Sequence, residues 1–407
     1  MSRARRFFRF FYSVPWCVPA WGWKEFILTV KTFVTGTIVN GPYPERFGTA
    51  VREYLGMRFA IPVNRGRTAI ELGLRAMEIG PGDDVVMPSF VCRSVIDAVL
   101  STGATPVFAD IDETLNVNAS TIEAALTSNT KCAIVAHLFG APAAIDEIEM
   151  LLTSRGIALM DDAAQALGAR CGDRPVGSFG ACGIVSCGPG KPLAGAAGGL
   201  LLTNDKGLYE RAASMRLGRE TTREVGRRTT QFWIWRRLRS YTLPFRILLG
   251  RVKGEATEPV HGNAALSNLD GAIALAQFEA LARHAAERRR HARTLRDNFS
   301  LLSGKVVTDI SPAGMVVKLV YLVPETGPTV EEAIEVLARN GIEAQGGYAP
   351  LHTLHGGAAR LPSTDALWQR VLCLPVETRP KPRQRIALVQ RAIATLATPS
   401  TAHPVRG

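Results

Sequence analysis

Four short apolar runs do most to constrain this chain: Asp84-Val-Val-Met, Thr105-Pro-Val-Phe, Cys132-Ala-Ile-Val and Ile157-Ala-Leu-Met. Stretches with helical spacing, such as Ala69 to Met77 and Ser94 to Leu100, alternate with them. A strand buried on both faces reads as a continuous apolar run, and strands separated by helices must pair in parallel through crossovers. The pattern predicts an α/β fold with a mostly parallel sheet covered by helices on both faces. With 407 residues, 46% of them hydrophobic and 21% charged, the chain can bury a substantial core and is expected to make two domains. From Asn268 to Phe299 runs a long Ala- and Arg-rich helical stretch, read as a connector to a small C-terminal α/β domain near 310 to 400. The expected divisions are 1–40 for an N-terminal basic and aromatic segment, 41–265 for the large domain, and 266–400 for the connector and small domain. No internal repeat is evident.

Chemistry concentrates around one lysine. Lys191 is the only charged residue between Arg174 and Asp205, set in Ser186-Cys-Gly-Pro-Gly-Lys191-Pro and followed by the apolar run Gly195-Ala-Ala-Gly-Gly-Leu-Leu-Leu. An ammonium in weakly polar surroundings loses solvation, which favours the neutral amine needed to form an imine. Upstream, the strand-like run Gly156-Ile-Ala-Leu-Met160 ends in Asp161-Asp162-Ala-Ala-Gln165. That puts a carboxylate at the carboxyl end of a strand, where open α/β sheets bind ligands. Taken singly, Lys191 reads as a solvated loop lysine and Asp162 as a helix N-cap. In this order and spacing, a lysine for a Schiff base and a carboxylate for a ring nitrogen point to pyridoxal phosphate. A phosphate-binding P-loop fails, because it needs glycine where Val185 stands and Ser or Thr where Pro192 stands. No Gly-x-Gly-x-x-Gly opens the first βα unit, which leaves a dinucleotide site without its fingerprint.

These residues resemble the DegT/DnrJ-type sugar aminotransferases, pyridoxal-phosphate enzymes of fold type I. The resemblance rests on Asp161-Asp162-Ala-Ala-Gln165, Gly177-Ser-Phe-Gly180, Ser186 to Leu193 and Gly198-Gly199. Outlying matches are Pro88-Ser-Phe, His137-Leu-Phe-Gly140, Leu275-Ala-Gln-Phe278, Tyr348-Ala-Pro-Leu-His352 and Leu372-Cys-Leu-Pro375. It implies that Lys191 holds the cofactor and then moves the proton, that Asp162 pairs with the pyridinium nitrogen, and that Gln165 reaches the phenolic oxygen. Gly66, Arg67 and Thr68, opening a helix, and Ser186 would bind the phosphate. Asn263 matches an asparagine supplied by the other subunit, which implies a homodimer with shared active sites. The implied partners are a keto-sugar carried on a nucleoside diphosphate and an amino donor, glutamate in the usual case. A basic chain suits such an anionic acceptor.

Departures from the family pattern bear on the substrate. Cys92 stands where an aromatic residue often stacks on the ring, Ala264-Ala265 replaces the usual Tyr-Arg, and Cys187 replaces Phe. Related members that replace the lysine with histidine dehydrate sugars, and retention of Lys191 argues for transamination. The alternatives are a lipid-linked or amphiphilic keto substrate at a membrane surface, and a catalytically silent scaffold.

Two segments stand apart: Arg3-Ala-Arg-Arg-Phe-Phe-Arg-Phe-Phe-Tyr12, and an insertion at about 220–258 whose core runs from Arg227 to Leu249. Both interleave arginine with aromatic and aliphatic residues, and much of the formal charge of +12 lies there. They read either as subunit packing or as peripheral membrane contact. Uncharged runs such as Phe11 to Trp23 fall short of the roughly 18 to 20 apolar residues of a span. No nucleic-acid module accompanies the charge, so no nucleic-acid partner is expected. Seven cysteines without a Cys-x-x-Cys pattern fit a reducing cytoplasm. His352-x-x-His355 lacks the further ligands of a metal site, so no metal is expected.

Overall fold

In the computed structural model the described residues are 14, 16, 20–215, 217–234, 263–299, 304–355, 360–376, 387 and 389–393. The segment Arg3 to Tyr12 and the insertion beyond Ile234 lie outside them.

Seven strands form the large sheet: β1 Phe59–Val63, β2 Asp84–Pro88, β3 Thr105–Ala109, β4 Thr130–Ala136, β5 Ala158–Asp162, β6 Cys182–Ser186 and β7 Gly199–Thr203. Their spatial order is β1-β7-β6-β5-β4-β2-β3. β7 runs antiparallel to both of its neighbours, and every other pairing is parallel. The four apolar runs fall in β2, β3, β4 and β5. Within β4 every residue except Lys131 is buried, which explains its unbroken apolar character.

Helices cover the sheet: α1 Trp23–Val34, α2 Tyr43–Leu55, α3 Gly66–Ala76, α4 Arg93–Thr102, α5 Ala119–Ala125, α6 Ile145–Ser154 and α7 Lys206–Ser214, then α8 over 222–234. α3 lies close on the sheet because Gly73 has no side chain. A Cβ there would stand 3.0 Å from Met160 and 3.4 Å from the Cys182 sulfur.

The Asn268–Phe299 stretch is two helices, α9 Asn268–Glu279 and α10 Leu281–Phe299, divided at Ala280. α9 is buried from Asn268 through Gln277, packed against α1 and α2, while α10 carries the arginine-rich surface. An alanine-rich run carries no break signal of its own. The division falls where one helix is buried all round and the next has a solvated face.

A second sheet is antiparallel throughout: β8 Lys305–Val306, β9 Lys318–Leu322, β10 Gln345–Gly346 and β11 Val371–Pro375, in the order β8-β9-β11-β10. Helix α11, Val330–Arg339, packs on it and starts with a capping box between Thr329 and Glu332. Val14 joins this unit by bridging to Ile342, and the Trp16 backbone N–H donates to Glu343 Oε2 at 2.9 Å. Val14 and Trp16 thus pack with residues more than three hundred positions later in the chain.

Candidate active site

Strand register gathers the candidate residues at one end of the large sheet. Asp162 ends β5, opposite Ala136 of β4 and Ile184 of β6. Ser186 ends β6 opposite Gly199, and Gly199 is also opposite Val63, the last residue of β1. The chain leaves Val63 through Asn64 and Arg65 straight into α3. The strand ends and the start of α3 therefore share one edge, the carboxyl end of the parallel strands.

That edge contains an open cradle. α3 begins at Gly66 with no side-chain cap on its first turn, so its leading N–H groups face outward as an anion site. A Cβ on Gly66 would stand 2.9 Å from the Ser186 Cβ and 3.0 Å from its Oγ, so only glycine lets Ser186 approach the helix start. Arg67 is half-buried beside it. The Thr68 hydroxyl is held between Asn64 Oδ1 at 2.9 Å and Asn263 Oδ1 at 3.1 Å, and the Asn263 amide donates to Glu71 at 2.6 Å. Asn263, given to a neighbouring subunit by the resemblance, thus lies beside Thr68 of its own chain. It is placed there by Ala264 and Ala265, which bond to the Asn64 and Gly218 backbones.

Asp162 is buried, and its Oδ1 accepts from the Ala164 backbone N–H at 3.0 Å. Burial pushes its carboxyl above the ordinary carboxylate value, while the Lys191 ammonium and the Ala164 backbone hydrogen bond draw it back. Lys191 lies in the turn after Ser186, its backbone N–H donating to the Gly188 carbonyl at 3.2 Å. Its side chain is half-buried rather than enclosed by the apolar run that follows it.

Gln165 is buried, and its Oε1 accepts from the Phe139 N–H at 3.3 Å. With the oxygen engaged, the amide nitrogen presents its two donors. Phe139 holds φ at +55°, unusual for a residue with a side chain, inside the short turn Leu138–Gly140. Cys92 stands at the position just before α4, with its sulfur 3.2 Å from Ser94 Oγ.

Two features went beyond sequence reasoning. One is the buried His137–Asp161 pair behind Asp162: Nε2 lies 2.9 Å from Asp161 Oδ1, and Asp161 Oδ2 accepts from the Gly177 and Phe179 N–H groups at 2.6 and 3.1 Å. The other is an aromatic junction between the two sheets. Tyr348 stacks on Phe139 and meets Phe90 edge-on, each with centroids 5.8 Å apart. Both sets lie in the matched motifs at His137 and Tyr348, which is the signal that pointed toward them.

The donor set fits pyridoxal phosphate: a buried carboxylate under a lysine's charge, an amide presenting N–H groups, and an uncapped helix start beside a serine hydroxyl. Comparison with known proteins agrees. The chain is 31% identical to the GDP-perosamine synthase of Caulobacter vibrioides over 77% of its own length and 78% of that protein. It is 40% identical to the UDP-N-acetyl-3-dehydro-alpha-D-glucosamine 3-aminotransferase of Acidithiobacillus ferrooxidans over 40% of this chain and 44% of that one. In fold it resembles the Escherichia coli GDP-4-keto-6-deoxy-D-mannose-3-dehydratase solved with hydrated PLP, at a TM-score of 0.76 and 18% identity, covering 94% and 99% of the two chains. Residues 24–390 match the profile of the DegT/DnrJ/EryC1/StrS aminotransferase family. The chain belongs to that family and is a pyridoxal-phosphate-dependent aminotransferase.

Proposed function

We propose that the enzyme transfers an amino group, from glutamate as donor, to the keto carbon of a sugar carried on a nucleoside diphosphate. The observation that carries this reading is the buried Asp162 carboxylate under the charge of Lys191 at the carboxyl edge of the sheet. Two relatives are named for a GDP-linked and a UDP-linked sugar, which supports the acceptor class. A dehydratase shares the fold, so fold alone does not choose the reaction. Retention of Lys191 favours amino transfer.

When bound, the cofactor supplies a conjugated ring that withdraws electrons from the substrate carbon losing its proton. The chain's part is to hold and steer. The N–H groups of Gly66, Arg67 and Thr68 and the hydroxyls of Thr68 and Ser186 bind phosphate, with Asn263 positioning Thr68. Asp162 keeps a proton on the ring nitrogen, Gln165 donates to the phenolic oxygen, and Cys92 offers a sulfur contact to the ring. Lys191 Nζ accepts and returns the substrate proton. The working unit is a homodimer, as the family resemblance implies. Among the described residues no helix is long and apolar enough to cross a membrane.

The decisive experiment reduces the loaded enzyme with borohydride and maps the pyridoxyl adduct. It is expected on the peptide containing Lys191, and an adduct on a different lysine overturns the assignment. Assays with GDP- and UDP-linked keto-sugars, following loss of glutamate, test the acceptor class.

A further inference from the structure

Helix α1 is built inside out. Its inward face buries Glu25 and Thr32, and Glu25 is satisfied by the Gly22 N–H at 2.6 Å and the Gln277 amide at 2.7 Å. Its outward face carries Trp23, Phe26, Ile27, Val30, Phe33 and Val34, with Trp23 78%, Ile27 58% and Val34 81% exposed. At 3.6 residues per turn these six fall on one continuous stripe. Exposure of single apolar residues is ordinary, whereas a contiguous stripe that displaces polar residues to the inside marks a docking face.

The surroundings define the partner. α8 lies antiparallel beside α1: Phe33 approaches Gly226, and the Phe26 ring lies 5.9 Å from Trp233. Trp233 also meets Trp21 at 5.0 Å, so its ring joins the two helices and is not the outward surface. Lys31 is exposed on one flank of the stripe, where Lys24 is paired with Glu279, and Arg223 and Arg227 are exposed on the flank beyond α8, with Ile234 also 52% exposed there. An apolar ridge with Lys31 on one flank and Arg223 and Arg227 on the other fits a surface that is apolar inside and anionic at its rim. It suits a second copy of itself poorly. A two-fold contact sets the same patch against itself and would bring these basic residues together, with Glu224 the one exposed acidic residue of the two helices.

We propose that the α1–α8 face is a docking surface for an anionic lipid bilayer, with the α1 stripe entering the headgroup boundary and Lys31, Arg223 and Arg227 meeting lipid phosphates. The exposed stripe includes none of the cofactor-binding residues, so substitutions on it are expected to leave turnover on soluble substrates intact.

The test is co-sedimentation of the full-length loaded enzyme with phosphatidylcholine vesicles, with and without phosphatidylglycerol. The parent is expected to bind only when phosphatidylglycerol is present, and less as salt rises. Ile27→Asn with Val30→Asn is expected to lower vesicle binding by about tenfold or more, with turnover unchanged. Lys31→Glu with Arg227→Glu is expected to abolish the phosphatidylglycerol dependence, and carries the test alone if the asparagine variant does not fold. No binding by the parent, or equal binding to both vesicle types, overturns the proposal. So does a parent dimer that falls apart in the asparagine variant, which would assign the face to a second copy.

Discussion

His137 donates from Nε2 to Asp161 Oδ1 across 2.9 Å, and neither side chain reaches solvent. The direction follows from the other ring nitrogen. Nδ1 accepts the Ala143 backbone N–H at 2.9 Å, so the ring proton sits on Nε2. Removing one partner strands the other in the core. His137→Phe is expected to destabilise the fold by about 3 to 5 kcal/mol, read by urea denaturation of the loaded enzyme. A loss below about 1 kcal/mol would mean that the pair is not a buried support for the strand carrying Asp162.

Asp162→Asn keeps the shape of the side chain and removes its charge. The expected result is a fall in kcat of about two orders of magnitude with little change in cofactor affinity, measured by steady-state kinetics at saturating cofactor. Near-normal turnover would assign ring protonation to another group.

The same carboxylate makes the stability of the cofactor-free chain depend on pH. Its folded value is raised above 3.8 by burial, so the folded state holds its proton more tightly than the unfolded chain does. The cost of ionising it is absent below 3.8, grows as pH rises toward the raised value, and is constant above that. Across that window the parent's Tm should fall relative to Asp162→Asn, and the two profiles should run parallel beyond it. Thermal melts across the acidic range check this.

Thr68→Ala and Ser186→Ala are expected to act on binding instead. Each should weaken cofactor affinity by about 1.5 to 3 kcal/mol, as loss of a charge-assisted hydrogen bond implies, with kcat at saturating cofactor little changed. Equilibrium dialysis against pyridoxal phosphate reads the difference.

Asn263 lies 3.1 Å from Thr68 of the same chain, and this placement is testable in mixed oligomers. When Lys191→Ala and Asn263→Ala chains are mixed, an asparagine that serves its own chain restores no intact site. Recovery of cofactor affinity and activity in the mixture would show that the asparagine crosses to a partner.

The parts of this molecule that could be read in advance are those set by local pattern. Buried parallel strands announce themselves as apolar runs, Asp162 follows such a run directly, and Gly66 stands at a helix start. What was hidden depends on pairings between distant residues. The break at Ala280 reflects a change in surroundings rather than in propensity. The inverted α1 looks from its sequence like any amphipathic helix, and only Gln277, 252 residues away, reveals which side faces in. The place of Asn263 likewise depended on which chain's Thr68 it meets.

The contact of Val14 and Trp16 with Ile342 and Glu343 has a consequence for synthesis. The Trp16–Glu343 bond spans 327 positions, so it cannot form until that much further chain has been made. At elongation rates of about 5–20 residues per second that delay is on the order of tens of seconds, during which Val14 and Trp16 lack their partners at Ile342 and Glu343. The small sheet can close only late, so a ribosome that stalls before Ile342 leaves Val14 and Trp16 without these bonds however well the large sheet has formed.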